Sequence, residues 1–228
     1  VATGKYLREI MLRDKVTANF AIGGIPGPFC DLLDEGLIRT IFDVQTFDAR
    51  AIQSIRDNPR HQEYDCTFYA NPWNKGPMVN KLDYVVLGAT EVDVNFNVNV
   101  ITDSNGIMMG ALGGHPDASA GAKCTIIVAP LLRGRLPMVT DAVQTVSTPG
   151  DTVDVIVTDR GVAINPRRPD LLENLKTSGL PLMTIEQLRD TAYDLGGKPE
   201  TLKISDEVVA VVEYRDGTVI DVIKKPIQ

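Results

Sequence analysis

The residues best placed to do chemistry lie between positions 106 and 117, GIMMGALGGHPD, where Gly110, Gly113 and Gly114 run into His115-Pro116-Asp117. A glycine turn just behind a strand leaves main-chain N–H groups uncovered and lets a solute approach the backbone closely. Convergent amides of this kind suit an anion, or the oxyanion that develops in acyl transfer, where one good donor is worth roughly 3 kcal/mol. The same residues also describe a tight strand-to-helix turn with no guest, and residue types alone leave both readings open. Upstream, Glu91 is expected to end an apolar strand beside this turn. A carboxyl desolvated there has its pKa raised and can orient or protonate a group; a paired or edge-exposed glutamate is the plainer alternative.

Arg133 and Arg135, in LLRGRLP, follow an apolar strand by a few residues, where α/β sheets place ligands. Their planar guanidinium groups suit bidentate carboxylate binding, although two arginines on a surface loop are commonplace. Asn95, Asn97 and Asn99 share one face of an alternating run. Asn97 is the candidate for holding a carboxylate through its amide, against the simpler reading of a solvated strand face. Gly23-Gly24, expected between a strand and a helix, makes a second anion-accepting turn or permits close helix–strand packing. Asn71, Lys75 and Asn80 suit either a cleft lining or an interface. Cys30, Cys66 and Cys124 are scattered without C-x-x-C pairing, and His61 and His115 are the two histidines. A disulfide framework, a zinc site and a His-built metal site are therefore not expected, and a reducing cytoplasm is the natural compartment.

The elements that must position these residues are legible from period and punctuation. Residues 3–14 place Tyr6, Leu7, Ile10 and Met11 on one helical face. A strand over 19–22 runs into Gly23-Gly24, Pro26 and Pro28 suit the first turn of a helix that Gly36 ends, and residues 38–44 read as a second strand. Asp48 is placed to cap a helix carrying Ile52 and Ile55 that stops at Asn58-Pro59. Strand–helix alternation of this kind points to a layered α/β domain with a mostly parallel sheet and flanking helices. Residues 58–83 are polar and irregular, and their aromatics argue for an ordered loop.

Beyond it, 84–88 reads as a buried strand, 92–100 as one half-buried strand of period two, Ser104-Asn105-Gly106 as a turn, and 123–129 and 154–158 as further strands. Asp117 is expected to cap a helix over DASAGA. Pro169 opens a helix closed by Gly179, and Thr184 with Gln187 forms a capping box. A hairpin around Asp216-Gly217 ends the chain. The expected organisation is a domain over 1–196 and a small β-hairpin appendage over 197–228.

Composition narrows the partners. The chain has 228 residues, 43% hydrophobic, and a formal charge of −7, enough for one sizeable core. An acidic protein does not attract nucleic acid or anionic membrane non-specifically, and no run reaches the eighteen or so apolar residues of a membrane helix. Nucleic-acid and membrane partners are not expected. The chain opens on Val1, as a fragment or trimmed piece does, and shows no basic-then-apolar signal segment.

Four segments carry a family resemblance: FAIGGIPG (20–27), YANPWNKG (69–76), LGATEVDVNFNVNV (87–100) and GALGGHPDASAGAKCTIIVAPLLRGRLP (110–137), extended by 148–172. Together they resemble the citrate lyase alpha chain family, the citrate CoA-transferase subunits. The likeness covers nearly the whole chain, most weakly its hairpin, and falls on the second half of that family's chain. It implies a CoA-transferase-like fold and exchange of a thiol carrier from acetate to citrate. A citrate carboxylate attacks the acetyl thioester, a mixed anhydride forms, the released thiolate attacks the citryl carbonyl, and acetate departs.

The resemblance also implies no permanently bound cofactor, with CoA or the CoA-like prosthetic group of a carrier protein as thioester donor. Implied partners are the N-terminal half of the same subunit and the beta (lyase) and gamma (acyl carrier) subunits, in bacterial citrate fermentation. In the wider CoA-transferase family the site lies between two halves, so this piece alone is expected to be inactive. Many of those enzymes carry a nucleophilic glutamate at the end of the second strand of this half. Gln45-Thr46-Phe47-Asp48 stands there here, which implies a ternary complex without a glutamyl-enzyme. With the resemblance in hand, the amides of Gly113, Gly114 and His115 are assigned to the oxyanion. The His115 ring is assigned to binding, since a carboxylate nucleophile needs no base near neutral pH. Two other classes stay open: a non-catalytic scaffold half that docks partner subunits, and a stand-alone carboxylate-binding module.

Overall fold

The computed structural model describes residues 2–227, which cluster in two compact units divided between Val79 and Asn80. In the first, α1 (Ala2–Asp14), β1 (Ala21–Ile25), α2 (Gly27–Asp34), β2 (Ile41–Thr46), α3 (Ala49–Asp57), β3 (His61–Glu63) and α4 (Cys66–Ala70) follow in order. The three strands form one parallel sheet, β1-β2-β3. Asp48 organises it: one carboxylate oxygen accepts from the Ala51 amide at 2.9 Å as the cap of α3, and the other accepts from the Gly27 amide at 2.7 Å at the start of α2. Leu32, Leu33, Ile38 and Ile41 are fully buried beneath, each worth about 1.5–3 kcal/mol.

Two sequence expectations change in this unit. Along α1, Met11 is buried while Tyr6 and Ile10 face solvent. The inward stripe is Gly4, half-buried Leu7 and Met11, and a Cβ on Gly4 would stand 2.9 Å from the Pro28 side chain of α2. The stretch after residue 58 is not an irregular loop. It holds β3 and α4, the latter capped by Asp65 accepting from the Phe68 amide at 2.7 Å. Pairing to β2 makes His61–Glu63 a strand without any apolar alternation of its own. Phe20, Phe42, Tyr64 and Phe68 pack beside it, with neighbouring ring centroids 4.3–5.7 Å apart.

The second unit contains β4 (Val85–Leu87), β5 (Glu91–Asp93), β6 (Val98–Asn99), α5 (His115–Gly121), β7 (Thr125–Val128), β8 (Leu132–Arg133), β9 (Leu136–Pro137), β10 (Val139–Thr140) and β11 (Val155–Val157). It continues with β12 (Val162–Ile164), α6 (Pro169–Leu175), β13 (Leu182–Met183), α7 (Ile185–Gly196), β14 (Ile204–Glu213) and β15 (Val219–Pro226). The main sheet runs β13-β12-β11-β7-β4, parallel except between β11 and β12. A smaller sheet, β10-β5-β6, shares its core, in which Val92, Val98, Ile127, Leu131, Ile156 and Leu188 are buried. The capping box of Thr184 and Gln187 is present at α7. The terminal hairpin forms a sheet of its own, turning at Tyr214–Thr218 with Gly217 at φ +87°. The result is a mixed α/β chain with parallel sheets, flanking helices and a C-terminal hairpin. No helix among the described residues is long and apolar enough to cross a membrane.

The run 92–100 is not one strand. β5 and β6 are the arms of a tight antiparallel hairpin, Glu91 opposite Asn99 and Val92 opposite Val98. The turn is held by the buried Asp93 carboxylate, which accepts from the amides of Asn95 (2.8 Å) and Asn97 (3.0 Å) and from Asn97 Nδ2 (3.1 Å). Phe96 takes φ +65° and is buried all the same. Glu91 accordingly begins β5, and the preceding strand stops at Leu87.

Candidate active site

The carboxyl ends of parallel strands β4 and β7 gather most of the expected residues of the second unit. Gly88 and Ala89 leave β4, and the 129–135 segment leaves β7. His115 opens α5 and clamps this edge: Nε2 lies 2.9 Å from the Gly88 carbonyl and Nδ1 lies 2.7 Å from Thr148 Oγ1. A carbonyl only accepts, so Nε2 carries the proton and Nδ1 accepts from the threonine hydroxyl. Burial holds the imidazole below its ordinary pKa, partly offset by its bond to Gly88. His115 is therefore a neutral, doubly engaged ring at pH 7.

Of the three amides expected to face an anion, that of His115 is tied to the Leu112 carbonyl at 3.0 Å. Those of Gly113 and Gly114 donate to no acceptor among the described residues. Gly113 sits exposed at φ +49°, with open space where a Cβ would stand. Gly114, not Asp117, is the N-terminal cap of α5; Asp117 lies in its first turn. Arg133 reaches the same edge, its Nη2 3.5 Å from the Ala89 carbonyl, and Gly134 at φ +62° turns β8 into β9 so that Arg135 follows on the same exposed tip. No carboxylate among the described residues pairs with either arginine.

Other expected residues are engaged in holding the scaffold. Glu91 is 2% exposed and accepts at Oε2 from Asn99 Nδ2 (3.0 Å) and the Gln144 amide (3.1 Å), while Ser104 donates to Oε1. It floors a separate cleft of about 300 Å³ also lined by Thr140, Tyr193 and Lys198, and Lys198 is itself paired with Asp141 at 2.7 Å. Asn97 binds Asp93 through Nδ2 and accepts from the Gly150 amide at 2.9 Å, and Asn99 is wholly buried, so of the three asparagines Asn95 alone is exposed. In the first unit, Gly23 and Gly24 lie inside β1 rather than between strand and helix. A Cβ on Gly24 would stand 2.2 Å from the Phe47 ring, and the first amide of α2 is already taken by Asp48. Gly24 leaves room for the Phe47 ring.

Sequence reasoning missed one constellation. His61 Nε2 lies 3.1 Å from Asp43 Oδ2, and its Nδ1 lies 3.9 Å from Cys30 Sγ. The order Cys–His–Asp suggests an activated nucleophile, but all three residues are at most 2% exposed and burial pushes the Cys30 thiol up, away from the reactive thiolate. The three residues instead tie α2, β2 and β3 together. A lone histidine in a polar run carries no signal of this. Among the described residues, no group of three or more His, Cys, Asp or Glu is placed to hold a metal ion.

The family model for citrate lyase, alpha subunit (CitF), matches residues 1–226. The chain belongs to the citrate lyase alpha subunit family. It is 51% identical over 225 residues to the citrate lyase alpha chain of Klebsiella pneumoniae, covering 99% of this chain and 44% of that one. A crystal structure described as the alpha subunit of citrate lyase from Streptococcus mutans in complex with citrate superposes with a TM-score of 0.95 at 48% identity, over 98% of this chain and 44% of that one. The malonate decarboxylase alpha subunit of Acinetobacter baumannii shares the fold alone, with a TM-score of 0.53 at 12% identity over 86% of this chain and 49% of that one. The chain thus spans less than half the length of the curated relative, consistent with the C-terminal half of the family's chain.

Proposed function

We propose that this chain forms one wall of a citrate CoA-transferase site. The observation that carries the reading is the pair of unengaged amides at Gly113 and Gly114, next to the carboxyl ends of β4 and β7. A Streptococcus mutans relative described as complexed with citrate supports it. A citrate carboxylate attacks the acetyl thioester carbonyl, and the amides receive the negative charge of the tetrahedral oxygen. Collapse expels the thiolate and leaves a mixed anhydride. The thiolate then attacks the citryl carbonyl, forming the citryl thioester and releasing acetate. Positioning of the two reactants supplies up to about 7–11 kcal/mol in favourable cases, and Arg133 and Arg135 offer carboxylate-binding cations that no carboxylate among the described residues pairs with.

His115 fixes the edge rather than moving a proton, because both ring nitrogens are engaged. A glutamyl-enzyme is not part of this reading: Asp48, in the segment where a nucleophilic carboxylate stands in other CoA-transferases, is engaged with two amides. CoA or a carrier-bound CoA-like group is the thioester donor, and the family's other half and its beta and gamma subunits are the partners. The test is thioester exchange by the full-length chain with Gly114→Val. The reading expects a folded variant whose valine side chain bars the substrate from the main-chain donors, with turnover reduced about 10²–10³-fold, the scale of one oxyanion donor denied to the substrate. Wild-type turnover in a folded variant overturns it.

A further inference from the structure

The terminal hairpin touches the rest of its own unit at three points around the glycine turn. At its base, Leu202 and Pro226 cover Gly106, where an added Cβ would stand 2.5 Å from Leu202 Cδ2 and 3.5 Å from Pro226 Cγ. Gly106 holds φ +74° and begins the segment that ends at Gly114. At its tip, Arg215 Nε lies 3.7 Å from Asp117 Oδ1 in the first turn of α5, with the two side chains 12% and 19% exposed. Midway, Asp221 Oδ2 accepts from the Val146 amide at 2.6 Å, two residues before Thr148, whose hydroxyl binds His115. The hairpin therefore contacts the start of the 106–114 segment, the helix directly after it, and the loop that fixes its histidine. Val208, Val209 and Val211 of β14 stand exposed, while Val212 is buried.

We infer that the hairpin is a brace for the Gly113–Gly114 amides and that Arg215 is a positioning residue acting on them through Asp117. Resting on the reading of those amides as the acyl-transfer site, the inference assigns to the hairpin a part in that site's geometry. The physical reason is that a glycine segment carries little intrinsic preference for one conformation and a 1 Å misplacement of donors is costly. Fixing the segment at both ends removes that freedom without any hydrogen bond to the two amides themselves, which stay open to a ligand.

The test is amide hydrogen exchange on the full-length chain, with citrate affinity measured on the same samples. Arg215→Ala and Asp117→Asn should each speed exchange across 106–118 by about tenfold, the factor equivalent to about 1.4 kcal/mol. Exchange in β7 and β11 should stay unchanged, the double variant should show no further increase, and Arg215→Lys should retain most of the protection. Citrate affinity should fall in step. Unchanged exchange over 106–118, or an equal rise throughout the core, overturns the inference, as does faster local exchange with unaltered citrate affinity. If the wild-type chain binds no citrate, the functional reading fails by itself, and the brace is judged on exchange alone.

Discussion

The imidazole of His115 donates from Nε2 to the carbonyl of Gly88, linking the first residue of α5 to the carboxyl end of β4 across 2.9 Å. This bond requires the neutral Nε2–H tautomer while Thr148 donates to the other nitrogen. Burial lowers the folded pKa of His115 below its ordinary value near 6.5. As pH falls, the unfolded chain takes up the proton first. The stability contributed is therefore complete above about pH 6.5 and is lost as pH drops through the folded value. Urea midpoints measured from pH 8 to pH 5 should decline less steeply in His115→Gln than in the wild type; parallel declines would refute this assignment.

Loss of the ring should also destabilise at neutral pH. His115→Ala leaves the Thr148 hydroxyl and the Gly88 carbonyl without their partner, at a cost of about 1–3 kcal/mol. Denaturant unfolding of the variant checks it, and a shift below about 0.5 kcal/mol, the usual range of a surface change, marks the clamp as unimportant.

Gly150 is closed to any side chain. A Cβ there would stand 2.0 Å from the Asn95 carbonyl oxygen and 2.7 Å from the Phe96 carbonyl carbon, both main-chain atoms of the β5–β6 turn. Gly150→Ala should cost about 1–3 kcal/mol or more by overpacking. Gly113→Ala meets no neighbour and bears only the strain of φ +49°, about 1 kcal/mol. Thermal melts of the two variants should rank in that order.

Asp93→Asn should loosen the same turn. The carboxylate accepts from two amides and from Asn97, and the carboxamide replaces one accepting oxygen by a donor. A loss of about 1–3 kcal/mol is expected for a buried group left mispaired. Phe96→Gly separates two opposed effects at the turn's apex: relief of a positive φ, worth about 1–2 kcal/mol, against loss of a buried ring, worth about 3–5 kcal/mol. The variant should be less stable than wild type.

Arg133→Ala and Arg135→Ala should leave stability within about 0.5 kcal/mol, since both side chains are exposed and without ion-pair partners. Citrate affinity, read by calorimetry, should fall in at least one. Unaltered affinity in both removes them from the site.

Local chemistry was legible in the sequence because its causes lie within a few residues. Asp48 caps α3, Thr184 and Gln187 close a box on α7, and Asp216-Gly217 turns the last hairpin, each through groups three or four positions apart. The glycine turn at 113–114 and the arginines at 133 and 135 were legible as residue types suited to anions. What partner each polar group finds was settled only by the tertiary structure. Period two runs unbroken through 92–100, yet the carboxylate of Asp93 folds it back on itself. Glu91 and Asn97, candidates by type, meet Ser104, Gln144 and Gly150 from distant segments and become scaffold. His115 loses its freedom to Thr148, 33 residues away. A buried polar group must be satisfied, and the groups that satisfy it are brought by chain topology rather than by neighbours in sequence.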